Sequence, residues 1–292
     1  MTQAVSLATP GGKLTFWLLL APAMLWLVAL IIAPHLQLFA ISFREPSAGD
    51  QENLGLSNYS EFFVEPLYWR TFARTAIMSI ITTVLTAAIG LPVAYYIAKL
   101  TRGYSKSILF VACLLPFWVS ELVRTLGWMI LLRETGVLSG FLRAVGVIDH
   151  PIEFLYNDAT VIVGLVYTSM LFMVVPLING FESLEDSLIE AGYDLGGNIF
   201  SVTRDIIIPH VMPGLVSGCI VVFMLSLGNY ATPTLLGGKN SLWFTEQIYA
   251  QFITRFNWEQ GAAFGFLLLV LSSAIIWLGL RLTGQRLVDV VR

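Results

Sequence analysis

Six long apolar runs decide most of what this chain can become. A stretch of about 20 mainly apolar residues is long enough to cross a bilayer as a helix. The runs fall at about residues 14–42, 71–98, 107–132, 160–179, 211–235 and 261–282. Lipid offers no partner to a backbone N–H or C=O. A crossing segment must therefore satisfy its own groups as a helix or join a closed barrel. These runs lack the apolar-out, polar-in alternation of barrel strands. The expected fold is all-α and integral to the membrane, with six transmembrane helices over residues 14–282 and short tails at 1–13 and 283–292. Composition agrees: 57% of the 292 residues are hydrophobic and 12% charged, where soluble domains carry about 25% charged residues. The first run follows Lys13 and continues well past the roughly 7–15 apolar residues of a secretory signal, so it reads as an uncleaved span.

Several kinds of chemistry find no support. Net charge is −3, and no basic stripe interleaved with aromatics offers itself to nucleic acid. Cys113 and Cys219 lie inside apolar runs and read as small buried hydrophobes. His35, His150 and His210 are far apart, and no Cys or His pair has ligand spacing, so no metal site is expected. No nucleophile and base converge in the spans, so no catalytic residues are expected. The chain has no G-x-x-x-x-G-K-[ST] run and is not expected to hydrolyse ATP alone.

Within the spans, Pro22, Pro34, Pro92, Pro116 and Pro176 are expected to kink their helices. Ser79, Thr83 and Ala87 form one row of small residues, and Thr82, Thr86 and Gly90 an adjacent one, suited to close helix packing. The short segment Lys99 to Lys106 holds Lys99, Arg102 and Lys106 without an acid, which puts it and both termini on the cytoplasmic side. Between the spans, Tyr59-Ser60-Glu61-Phe62-Phe63 is expected to anchor at the membrane interface.

The segment between the fourth and fifth runs stands apart. From Phe181 to Pro209 lie Glu182, Glu185, Asp186, Glu190, Asp194 and Asp205, against Arg204 alone. Ser183-Leu184-Glu185-Asp186 has the form of a capping box at a helix start. Leu184, Leu188 and Ala191 share one helical face, with Leu195 a turn further on. Gly196-Gly197 would end that helix, and a second short helix is expected before Pro209. An anionic membrane surface repels an acidic helix. A protein partner, met by apolar contact and steered by charge, is the better match.

Glu190-Ala191-Gly192, then Gly196, then Ile206-Ile207-Ile208-Pro209 have the spacing of a known loop. The segment resembles the cytoplasmic "EAA" loop of ATP-binding-cassette importer permeases. It departs where Gly192 replaces the second Ala, Gly197 the Ala after the Gly, and Ile208 the Leu. Gly192 and Gly197 are expected to loosen the helix pair while keeping it small. Leu114-Leu115-Pro116-Phe117-Trp118-Val119-Ser120, with Leu122-Val123-Arg124-Thr125 and Trp128, is similar to the third span of the spermidine/putrescine permease subfamily. Gly228-Asn229-Tyr230-Ala231-Thr232-Pro233, with Leu235-Leu236-Gly237-Gly238, is similar to that subfamily's fifth-span exit, and together they place the chain beside its first permease subunit.

The resemblance implies a type I importer permease fold in a bacterial inner membrane. It implies a second permease subunit, an ATPase dimer on the cytoplasmic side that uses ATP and Mg²⁺, and an external solute-binding protein. It gives this chain no cofactor of its own. It makes Glu190, Ala191, Gly192, Asp194, Leu195, Gly196, Gly197 and Pro209 the coupling contact with the ATPase. Polyamines are the first expected cargo, with quaternary amines, aminophosphonates and carboxylates as alternatives. An ion-driven secondary transporter would work without an ATPase and leave the acidic loop unexplained. A membrane-embedded enzyme would need a reactive set that the spans lack.

Glu121 and Arg124 stand three residues apart within the third run. A charge at the bilayer centre costs about 2.5–3.5 kcal/mol or more, so each needs a reason. They are spaced to neutralise each other. Alternatively, Glu121 lines the solute path and attracts an ammonium group, with Asn229 and Tyr230 beside it and Trp118 and Trp128 facing the cation.

Overall fold

The computed structural model describes residues 10–45, 53–238 and 241–284. Most of the expected tails, residues 1–9 and 285–292, lie outside them. The first run forms α1 (Pro10–Leu27) and α2 (Ala33–Ser42), joined by a π-helical turn at Val28–Ile32. A short antiparallel pair, β1 (Arg44–Glu45) with β2 (Asn53–Leu54), precedes α3 (Ser57–Val64). Then come α4 (Pro66–Tyr95), prolonged by a π turn to Leu100, α5 (Tyr104–Leu114), α6 (Glu121–Leu132), α7 (Val137–Ala144) and α8 (Asp158–Glu182). The chain continues through α9 (Asp186–Asp194), α10 (Ile199–Val202), α11 (Ile208–Leu227), α12 (Ala231–Leu236), α13 (Phe244–Tyr249) and α14 (Trp258–Thr283). Among the described residues, five helical segments are long and apolar enough to cross a membrane, and a sixth candidate is a bent pair.

That bent pair corrects the third span. Residues 107–132 do not form one helix: Tyr104–Trp118 and Glu121–Ala144 meet at 91°. Pro116 lacks an N–H and closes α5 with a 3₁₀ turn at Leu115–Trp118. Val119 is extended, and Ser120 caps the new helix by accepting from Val123 N–H at 3.4 Å. The fifth span also lies earlier than expected, its helical segment starting at Ile199. It stops at Leu227, and Gly228–Tyr230 separates it from α12. The other prolines act differently from one another. Pro22, Pro92 and Pro176 lie inside unbroken helices. π turns immediately precede Ala33-Pro34 and Ile208-Pro209. A missing proline N–H leaves a carbonyl one turn back free to take the wider register.

The chain divides into two compact units. One takes the described residues up to Glu65 together with Ile248–Leu267. Inside it, Asn58 Nδ2 donates to the carbonyls of Ser42 at 3.1 Å and Arg44 at 2.8 Å. Tyr59 shares a 2.7 Å hydrogen bond with Ser42 Oγ, and Phe62 meets the Phe264 ring edge-on. So the aromatic stretch is only partly an exposed anchor: Phe62 is buried and Phe63 exposed.

The second unit takes Pro66–Gln247 and the described residues from Leu268. Its core is built where α4, α8 and α11 pack, around Ala94, Met173, Leu177 and Val222, all completely buried. The small-residue rows on α4 do face inward: Ser79, Thr82, Thr83, Thr86 and Gly90 are buried. On α11, Gly214 and Gly218 repeat at the four-residue spacing that lets helices approach closely. A Cβ on Gly214 would lie 2.6 Å from the Pro176 carbonyl oxygen of α8, which cannot move aside as a side chain would. Gly214→Ala should therefore destabilise the subunit by about 1–3 kcal/mol, the usual range for overpacking. A thermal-shift measurement in detergent checks this, and an unchanged midpoint would refute it.

Candidate coupling surface and membrane cavity

The acidic loop folds as a helix pair, α9 and α10, between α8 and α11. The expected capping box does not form. Ser183 instead closes α8, its Oγ donating to the Gly180 carbonyl at 2.9 Å and pairing with His210 Nε2 at 3.0 Å. Glu185 occupies the cap position of α9 without a side-chain cap bond. Leu184 lies before the helix and is buried in the core, so it leaves the expected stripe. Leu188, Ala191 and Leu195 face outward, with Leu195 90% exposed. Glu190 and Asp194 are exposed too. The helix thus offers a mixed apolar and acidic surface.

Gly196 ends α9, as its sequence position suggests. The N–H of Gly197 bonds the Gly192 carbonyl at 3.0 Å, and that of Gly196 bonds the Tyr193 carbonyl at 2.9 Å. This is the Schellman pattern, which wants a left-handed residue; Gly196 has φ +85°. Gly192 and Gly197 do not loosen the pair. Each faces Val202 at distances where an added Cβ would be crowded. Asn198 then caps α10, its Oδ1 accepting from Ser201 N–H at 2.9 Å. Pro209 sits in the first turn of α11, after the π turn, and is exposed.

At the root of the loop, Lys99 Nζ donates to the Leu184 carbonyl and to Asp186 Oδ1, the latter at 2.7 Å. Lys106 Nζ lies 2.8 Å from Glu182 Oε1. The hydrogen bond and charge of Lys99, with Arg102 adding to them, hold the Asp186 carboxyl below its ordinary value of 3.8. A depressed carboxylate contributes stability above its unfolded pKa and loses it as pH falls through the folded value. The Lys99–Asp186 pair is therefore complete at neutral pH.

The charges of the third run gather at the chain breaks. Glu121 opens α6, where a helix N-terminus favours a carboxylate. Its Oε1 accepts from Asn229 Nδ2. Asn229 is held in turn: its Oδ1 accepts from Thr232 N–H in the first turn of α12 at 2.9 Å, and its carbonyl accepts from Thr245 Oγ1 at 2.8 Å. Glu121, Arg124, Asn229 and Tyr230 line a cavity of about 360 Å³ with Thr168 and Ser169 of α8. Among the described residues, no ion pair joins Glu121 to Arg124. Arg124 lies beside the Tyr167 ring at 6.0 Å, and its buried Nε has no hydrogen-bond partner. Trp118 and Trp128 do not line the cavity. Trp118 is 76% exposed, and Trp128 packs edge-on against Tyr167 at 5.5 Å. Sequence reasoning passed over Thr168 and Ser169, although two adjacent hydroxyls in an apolar run were the signal for them.

A helical membrane bundle with a polar cavity and a projecting acidic helix pair defines a transport subunit. The description "Binding-protein-dependent transport system inner membrane component" belongs to the family model that matches residues 62–287, and the chain belongs to that family. It is 34% identical over 270 residues to the spermidine/putrescine transport system permease protein PotB of Salmonella typhimurium (strain SL1344), covering 91% of this chain and 93% of that one. PotB of Escherichia coli (strain K12) is 33% identical over 266 residues, covering 89% and 96%. The Escherichia coli inner membrane ABC transporter permease protein YdcU is 29% identical over 276 residues, covering 90% and 87%. Among solved structures, a bacterial ABC transporter involved in alginate import matches with TM-score 0.72 at 16% identity, over 93% of this chain and 95% of that one. The MetNI methionine ABC transporter matches with TM-score 0.56 at 19% identity, over 75% and 97%. The fold is that of a type I ABC importer permease.

Proposed function

We propose that this chain lines the path of a polyamine through an ATP-driven importer of the inner membrane. Its proposed partners are a second permease, an ATPase dimer and an external binding protein. The observation that carries the cargo is the Glu121 carboxylate, fixed by Asn229 at the wall of the cavity, where an ammonium group can be received. The named relatives support the same cargo. ATP and Mg²⁺ act on the partner ATPase, which the exposed face of α9 meets through Leu188, Ala191, Leu195 and the acids Glu190 and Asp194. The two lysine ion pairs support a common side for the basic turn and the α9 loop. Basic short loops favour the cytoplasm, and an even number of crossings then puts both termini there.

The test is substrate-stimulated ATP hydrolysis by the reconstituted complex with its binding protein, using spermidine, putrescine, quaternary amines, aminophosphonates and carboxylates. Stimulation by polyamines alone supports the reading. Arg124 favours a second one: with its Nε unpartnered beside the same cavity, it suits an anionic solute. Stimulation by an aminophosphonate or carboxylate, and none by a polyamine, would replace the first reading with this one.

Asn229→Ala removes both the acceptor for Thr232 N–H in the first turn of α12 and the donor to Glu121. Loss of such a hydrogen bond costs about 1 kcal/mol. The expected result is a lower thermal midpoint of the subunit together with a several-fold higher KM for polyamine uptake. An unchanged KM would show that Asn229 is only structural.

A further inference from the structure

The geometry points to Lys99 and Lys106 as positioning residues that carry movement of the α9 helix into the broken third span. This rests on the reading that α9 is driven by an ATPase. Two features make a separate link necessary. α9 has no fully buried residue, and of its side chains the half-buried Ile189 packs against the core, so packing alone grips it weakly. α5, which leads through Pro116 to Glu121, has no fully buried residue either. Charge ties the root of each: α9 to the turn after α4, and α5 to the end of α8. Lys99 stands in the π turn after α4, and its side chain is only 11% exposed. An ammonium withdrawn from water needs fixed partners. It finds the Leu184 carbonyl and Asp186 Oδ1, on either side of the start of α9. Lys106, in the first turn of α5, holds Glu182 at the end of α8.

Lys99, Arg102, Lys106, Glu182 and Asp186 surround one opening of about 420 Å³. Both carboxylates there are already taken by lysines, so the group is a clasp and not a ligand site. A pull on α9 moves Asp186 and Glu182, and the lysines pass it to the turn between α4 and α5. From there α5 delivers it to the bend at Val119–Ser120, where the Glu121 carboxylate hangs. The clasp joins the coupling surface to the cavity wall by way of the last residue of α8, Glu182, and not along the length of that helix.

The test uses the complete importer in proteoliposomes, with binding protein, and reads ATP hydrolysed per solute imported at equal complex content. Lys99→Glu should raise that ratio about fivefold or more, a usual size for a coupling loss. The exchange Lys99→Glu with Asp186→Lys should bring it back toward the starting value. A purely structural contact would change the amount of complex and leave the ratio alone. If Lys99→Glu does not assemble, the more exposed Lys106→Glu, with and without Glu182→Lys, carries the same test. A normal ratio in the single variants, or an exchange no better than its single parent, overturns the clasp. An unmodified complex that imports solute without hydrolysing ATP overturns the coupling reading, and the clasp with it.

Discussion

Glu121→Gln is expected to weaken uptake of a cationic solute about tenfold or more while the subunit reaches the membrane in normal amounts. The size follows from exchanging a charge-assisted hydrogen bond, worth about 1.5–3 kcal/mol, for a neutral one of about 0.5–1.5 kcal/mol, while also removing the attraction that draws a cation in. Glutamine keeps the shape and still accepts from Asn229 Nδ2, so the turn before α12 stays formed. Glu121 also lies at the start of α6 and not in mid-helix, so neutralising it leaves no neighbour buried and unpaired. Initial uptake rates in vesicles, normalised to complex content, are the measurement. Wild-type rates across a range of solute concentrations would remove Glu121 from the path and turn attention to Arg124.

Gly196→Asp should produce the other large effect, a complex that hydrolyses ATP without importing solute. Gly196 has φ +85°, which costs a residue with a Cβ about 1–2 kcal/mol. Nothing crowds the position, so the strain is conformational. An aspartate there also sets a negative charge against the negative end of α9, a further penalty of about 0.3–1 kcal/mol. The helix end should unwind at the residue before it, Leu195, whose side chain is 90% exposed. A Cβ at Gly196 meets nothing within 4 Å, so the core built on α4, α8 and α11 should hold and membrane insertion be spared. Gly196→Asn is the control, since asparagine tolerates the left-handed region and carries no charge; it should be milder. The ratio of ATP hydrolysed to solute imported checks both, and a normal ratio for the aspartate variant would separate this helix end from coupling.

Helix type and number were readable from the apolar runs because lipid leaves a backbone few options. The loop was legible for a similar reason: Gly196-Gly197 marks a helix end by a backbone rule that needs no tertiary information. What escaped was decided by contact. The apolar run at 107–132 marks Pro116 as a kink like the others, but not that it closes one helix while Ser120 opens another at 91°, since Pro22, Pro92 and Pro176 are tolerated within helices. Ser183 looked like the cap of the next helix and proved to be the last word of the previous one, because His210 reaches it from α11. Glu121 and Asn229 could be suspected of meeting, yet 108 positions separate them. Trp118 and Trp128 had the right chemistry for a cation and stand outside the cavity that Glu121 lines. Lys99 and Lys106 counted only as markers of orientation, because their partners lie more than seventy residues away in sequence.

The bend at Val119–Ser120 has a consequence that concerns the cell's energy supply. Non-helical backbone at membrane depth persists only against protein or water, and the polar cavity lined by Glu121, Arg124 and Asn229 is where water would enter. A wet recess shortens the insulating distance across the bilayer, and the voltage there falls over fewer ångströms. The insulation that remains is the dry cluster farther along α8 and α11, Met173, Val174, Leu177 and Val222, each no more than 1% exposed. Those four side chains, none of them lining that cavity, would then be the dielectric that an idle importer sets against discharge of the membrane.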